Sequence, residues 1–199
     1  MWLRVMPEFQ IDRKWHGTEI RDLAKSNDNY LAPLGIEAFL PISTDHIFSE
    51  DGFGIYVVHK PTQCVVFVFE TGEIWSIDAY HLNVGTSIPL IEPYLIKALT
   101  GYSAFLRERL GVPPPHRWIA GIEGVKRRPI EIPVNAPGQV IIQRVSGSCL
   151  SDEIVKSGTH EQGADAQTSL RPFFVELFAK CMISRPDWMD GFVWPSMPY

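Results

Sequence analysis

The sequence predicts an α+β fold: an antiparallel β-meander, extended by later strands and packed against two principal α-helices. Three observations carry this reading. Phe53–His59, Cys64–Glu70 and Glu73–Tyr80 are strand-length runs rich in Val, Ile, Phe, Trp and Tyr. The links between them, 60–63 and Thr71-Gly72, are too short for the crossover that parallel pairing needs. Two later segments, Ile91–Leu110 and Ser169–Ile183, instead repeat apolar residues at helical spacing.

Along the chain, Thr18 is placed to cap a short helix through Ser26, with Ile20, Leu23 and Ala24 on one side, ended by Asn27, Asp28 and Asn29. The apolar stretch 30–42, interrupted by Pro33, Gly35 and Pro41, predicts short pieces packed over the core. Residues 1–50 therefore read as an N-terminal packing segment of one domain spanning 1–199. Ser43–Gly54, with Asp45, Glu50 and Asp51, reads as a surface loop. In the meander, Gly72 supplies the positive φ that a tight reversal requires. Trp75, Ile77 and Ala79 form the more apolar side of the third strand, opposite Ile74, Ser76, Asp78 and Tyr80. The middle strand is apolar on both sides, which predicts cover on both.

The helix over Ile91–Leu110 tolerates Pro93 in its first turn and stops at Gly111 and the prolines 113–115. Strands are expected at His116–Ile122 and Gln139–Val145, with a basic turn Gly124–Pro129 and a short extended piece Ile130–Pro133 between them. Gly147–Ser169 is polar, with a short helix expected near Ser151 or Asp152. The second large helix has Pro172 in its expected first turn and a stripe of Phe173, Phe174, Leu177, Phe178 and Cys181. An aromatic tail, 184–199, closes the chain.

A hydrophobic fraction of 45% with 21% charged residues describes a folded chain, large enough for a core without metal or disulfide support. No run of eighteen apolar residues is present, and the first fifteen lack the pattern of a secretory signal. Cys64, Cys149 and Cys181 form no CxxC pair, which argues against a disulfide scaffold or a structural zinc. The expected location is cytoplasmic, with no membrane contact and no cofactor.

The net charge of -5 hides a gradient, -6 over residues 1–99 and +1 over 100–199. Within 107–128 the local balance is +4, so an anion-facing patch is compatible with a weak overall affinity for polyanions. Lys126, Arg127 and Arg128 are the candidate anion-binding residues, although GIEGVKRRP lacks the glycine spacing of a phosphate loop. His160, Glu161 and Asp165 form the densest trio of types that relay protons or bind metal, and Asp78 stands near the end of a well-defined strand. Asp45-His46, with Glu50 and Asp51 nearby, is a second group of the same kind. Gly147-Ser148-Cys149 lacks the pattern of a nucleophile elbow.

Most aromatic residues have core positions. Trp188, Phe192, Trp194 and Tyr199 do not, and they are the candidate partner-binding residues: such a tail folds back or docks on another chain. The functional expectation is a noncatalytic protein-interaction or sensory/accessory domain acting through a protein partner or self-association, with no metal and no catalytic set. One alternative is a small hydrolase for a phosphate-containing substrate, using the basic turn with Asp78 or with His160, Glu161 and Asp165. The other is a nucleic-acid-binding accessory protein using the 107–128 patch.

Overall fold

Along the chain the elements are β1 (Trp2–Pro7), α1 (Gly17–Ala24), β2 (Thr44–Ser49), β3 (Gly52–Val57), β4 (Cys64–Phe69), β5 (Ile74–Asp78), α2 (Tyr80–Val84) and α3 (Glu92–Glu108). Then follow β6 (His116–Glu123), β7 (Glu131–Ala136), β8 (Gln139–Arg144), β9 (Glu153–His160) and α4 (Ala166–Lys180). They come from a computed structural model that describes residues 1–25, 30–35, 44–58, 64–136, 139–144 and 147–192. Seven strands make one antiparallel sheet in the order β2-β3-β4-β5-β1-β6-β9, and β7 and β8 form a separate hairpin. The architecture is the expected α+β.

The meander is present as read, β3-β4-β5 with Gly72 at φ 79° in the last reversal. Its neighbours are new. Thr44–Ser49 was expected as loop and is instead an edge strand, all six residues exposed, so no buried face left a periodic signal. Glu153–His160 was expected within a polar region and is the opposite edge strand. Of its residues only Ile154 is buried, and Gly158 lies beneath Trp118, where an added Cβ would come within 2.6 Å of the indole. A residue with a side chain there would displace a fully buried tryptophan. Trp2–Pro7 lies in the middle of the sheet, paired with β5 on one side and β6 on the other.

Alternation along β1 and its neighbours sorts the sheet into two faces. Leu3, Val5, Val66, Val68, Ile74, Trp118, Ala120 and Ile122 are buried against α1, α3 and α4. On β5 this reverses the order of hydrophobicity. Ile74, Ser76 and Asp78 are fully buried, whereas Trp75 and Ile77 remain 41% and 42% exposed. Val65, Phe67 and Phe69 are half-exposed, so β4 is covered on one side and not on both.

Helix α1 starts at Gly17 with His16 at its N-cap, and Thr18 lies inside the first turn without capping it. Helix α3 buries Leu95, Leu99, Tyr102, Phe105 and Leu106, at the spacing read from the sequence. Helix α4 begins three residues earlier than expected, because the Asp165 carboxylate accepts from Thr168 N at 3.0 Å and caps it there. Pro172 is therefore inside the helix and not in its first turn.

The chain after α4 folds back. Arg185 donates from Nε and Nη2 to both oxygens of Glu92, each at 2.8 Å, and from Nη1 to Asp190. Glu92 and Arg185 are both almost fully buried, and the guanidinium lies over the Phe174 ring. Burial pushes the Glu92 carboxyl up while the Arg185 fork opposes that shift. Gln167 adds two bonds, from Nε2 to Met189 O at 2.6 Å and from Gly191 N to its Oε1 at 2.8 Å. Trp188 is half-buried against the core and stacks edge-on with Phe192 at 5.5 Å; Trp194 and Tyr199 lie outside the described residues.

Removing one member of a buried pair strands the other charge, which costs about 3–5 kcal/mol. Arg185→Ala should lower the urea-unfolding free energy by about that amount, and Glu92→Leu/Arg185→Met by far less. Equal losses in the two variants would show that the pair contributes only packing.

Candidate functional site

The uncovered side of the sheet is built by cross-strand registry. One row runs Tyr56, Val65, Ile77, Trp2, Gly121, Val155; the next runs Ile47, Gly54, Phe67, Trp75, Arg4, Ile119. No described helix packs over these rows. The aromatic rings pack on one another instead: Phe67 meets Phe69 edge-on at 4.8 Å, and Phe69 meets Trp75 at 6.1 Å. The Arg4 guanidinium sits 5.2 Å from the centre of the Trp75 ring and donates to Glu73 at 3.0 Å. The Trp2 indole lies over Gly121 and donates to Glu123 at 3.1 Å.

Charge on this face is unequal. Asp45, Glu73, Glu123 and Glu153 stand against Arg4 and Arg117, and each arginine already faces a carboxylate, Glu73 for Arg4 and Glu8 at 3.8 Å for Arg117. Glu123 and Glu153 are directly opposite one another across β6 and β9. Like charges in that position repel. The result is an apolar, aromatic centre with an acidic border.

Asp78 is elsewhere, on the buried side at the end of β5. Its Oδ1 accepts from Tyr80 N at 2.7 Å, from His81 N at 3.3 Å and from the Cys64 thiol at 3.6 Å; its Oδ2 contacts His81 Nδ1 at 2.5 Å. Burial, with the Asp78 charge in second place, pushes the Cys64 thiol up, so Cys64 stays protonated and donates. His81 packs edge-on to Tyr80 and 4.8 Å from Tyr94. Asp78 thus starts α2, and Arg128 holds its other end by donating from Nη1 to Leu82 O and, at 3.2 Å, to Gly85 O. Lys126 and Arg127 of the same turn are exposed, with Arg127 at φ 65°.

His160, Glu161 and Asp165 line one cleft of about 260 Å³, together with Ser103 and Arg107 of α3 and with His116. His116 was not nominated from the sequence. It lies directly opposite His160 across β6 and β9, a pairing that only the strand register reveals. Ser169 Oγ donates to Asp165 O at 3.2 Å, and therefore accepts from His160 Nδ1 at 2.9 Å. His116 donates from Nε2 to Val112 O at 3.2 Å. Both neutral rings then carry their lone pairs on the remaining nitrogen.

These groups do not form one site. His160 is six residues further along the strand direction from the row of Asp78, and β9 is three strands from β5. That separates them by about 20 Å along the strands and about 14 Å across. The basic turn shares the Asp78 end. His46, the other nominated histidine, stacks on Phe53 at 5.4 Å. Among the described residues no group of three or more His, Cys, Asp and Glu side chains is placed to hold a metal ion, and no helix is long and apolar enough to cross a membrane. No protein-family model, curated protein or solved structure matches the chain.

Burial is the main cause that holds both His116 and His160 below the ordinary histidine value; each also feels the Arg107 charge, and Asp165 opposes the shift at His160. Because the folded pKa values are lowered, the unfolded chain binds more protons below about pH 6.5, and the stability they contribute is lost as pH falls through that range. The urea midpoint of the wild type should drop more between pH 7.5 and pH 5.5 than that of His116→Asn. Parallel pH profiles for the two proteins would refute this linkage.

Proposed function

We propose that this protein is a noncatalytic interaction module that docks another protein on the bare face of its sheet. The partner offers an apolar centre bordered by Lys and Arg. The observation that carries the reading is the exposure of Trp75 and Ile77, at 41% and 42%, at the middle of a sheet side whose other half-exposed residues include Trp2, Tyr56, Phe67 and Phe69. Aromatic residues in such a centre are the side chains that contribute most to protein binding. A contiguous apolar patch of this kind, rimmed by polar groups, is uncommon on a protein without a partner.

The acidic border favours a basic protein over a nucleic acid. Stacked bases would suit the aromatic rings, but a phosphate backbone would run along Asp45, Glu73, Glu123 and Glu153 with both arginines already facing carboxylates. The hydrolase reading has less support, since Arg128 is engaged on the α2 carbonyls and the His160 cleft lies at the other end of the sheet. The docking surface also moves away from the tail, where Trp188 packs on the core and Phe192 on Trp188. Glu123 opposite Glu153 has a role in this reading, because a partner's cation between them relieves their repulsion.

A random peptide library displayed on phage tests this. Selection on the wild type should enrich peptides that combine Lys or Arg with aromatic or aliphatic residues. Trp75→Asp/Ile77→Asp should lose at least about tenfold in affinity for those peptides, as loss of a central aromatic anchor does. Enrichment of acidic peptides, or binding indifferent to positions 75 and 77, would overturn the proposal.

A further inference from the structure

The two edges of the sheet are not equivalent. Edge strands expose unpaired backbone groups, and proteins protect them with lysines, prolines, bulges or inward-pointing charges. Strand β9 has that protection: Lys156 points to the helix side and reaches Glu176 of α4 at 3.5 Å. Strand β2 has none. Its sequence, TDHIFS, contains no Lys, Arg or Pro, it pairs with β3 over six consecutive residues without a bulge, and Ile47 and Phe48 are 39% and 54% exposed.

We infer that β2 is a self-association edge, and that its partner is β2 of a second copy of this chain, paired antiparallel about a two-fold axis normal to the sheet. The register follows from side-chain parity. Opposed residues of an antiparallel pair share a face, so Ile47 of the bare side meets only Asp45, Ile47 or Ser49 of the copy. Centring the axis on Ile47 sets Ile47 against Ile47, His46 against Phe48 and Asp45 against Ser49. Every pairing is then apolar on apolar, ring on ring, or carboxylate on hydroxyl, and no like charges meet. Moving the axis to His46 sets the two histidines together, and Asp45 against Ile47. The Ile47 register also makes one continuous sheet with both bare faces on the same side.

This inference is independent of the docking proposed above, and its test reads covalent dimers and not peptide binding. Single cysteines are placed at 45, 46, 47 and 49 and treated with a bis-thiosulfonate reagent about as long as the spacing of opposed Cβ atoms, roughly 5 Å. The native thiols are buried, Cys64 and Cys181 fully and Cys149 to 1% exposure, so they add no background. Ile47→Cys should cross-link at least about tenfold faster than the other three alone, and a mixture of Asp45→Cys with Ser49→Cys should form the mixed dimer. All four substitutions are at exposed positions, and unchanged melting of each variant confirms folding. Equal rates at all four positions, or no cross-linking at 47, would overturn the proposal. So would sedimentation showing that wild type and Ile47→Lys have the same mass at every concentration.

Discussion

Strand β1 is the constraint on which the rest of the molecule depends. Among the described strands it alone joins β2–β5 to the pair β6 and β9, hydrogen-bonded to β5 along one edge and to β6 along the other. Because side chains alternate strictly along a strand, its register decides which residues of both halves point to the helices. Leu3 and Val5, 1% and 0% exposed, define the covered side. With them fixed, Trp2 and Arg4 must face outward, and so must Trp75 and Ile77 on β5. A slip of one residue would turn Leu3 and Val5 to the exposed side and Trp2 and Arg4 toward the helices.

The alternation succeeds on the covered side because its polar members find partners. Ser76, fully buried, donates to Val65 O and accepts from Leu34 N, each at 2.9 Å. Asp78 accepts from two backbone amides and a thiol and touches His81. On the helix layer that covers this side, Glu92 of α3 likewise has both oxygens on the Arg185 fork. A buried polar group with its hydrogen bonds made costs little, whereas one left unmade costs about 1–3 kcal/mol. These partners allow β5 to bury its more polar side, and the more apolar side, with Trp75 and Ile77, is left exposed.

How much of this was legible in the sequence follows from the same physics. The meander and α3 were readable because both carry buried faces with the period of their own geometry. Strands β2 and β9 were not, since an edge strand with one buried residue or none leaves no alternation. Counting hydrophobic residues on β5 pointed to the wrong side, because hydropathy does not register that Ser76 and Asp78 have partners more than ten residues away or in the following turn. The trio His160, Glu161 and Asp165 was visible as a local cluster. Its most buried neighbour, His116, was not, because their proximity is a property of strand register. The aromatic residues of the tail stood out for lack of periodicity, yet Trp188 is placed by Glu92, 96 residues earlier in the chain, through Arg185.

A bare aromatic sheet face is a liability to a free chain, and its details bear on how the molecule manages it. The rings of Phe67, Phe69 and Trp75 cover part of one another, and Arg4 covers part of Trp75, which removes apolar area from water without a second layer. The acidic border repels copies that approach face to face, since both would bring Glu123 and Glu153 to the contact. A lateral approach through β2 meets no such barrier: the carboxylate of Asp45 is set against a serine, and the central residue is isoleucine. In the proposed arrangement electrostatics would separate the two surfaces by direction, with the acidic face suited to a partner of opposite charge and the edge to the chain's own copy.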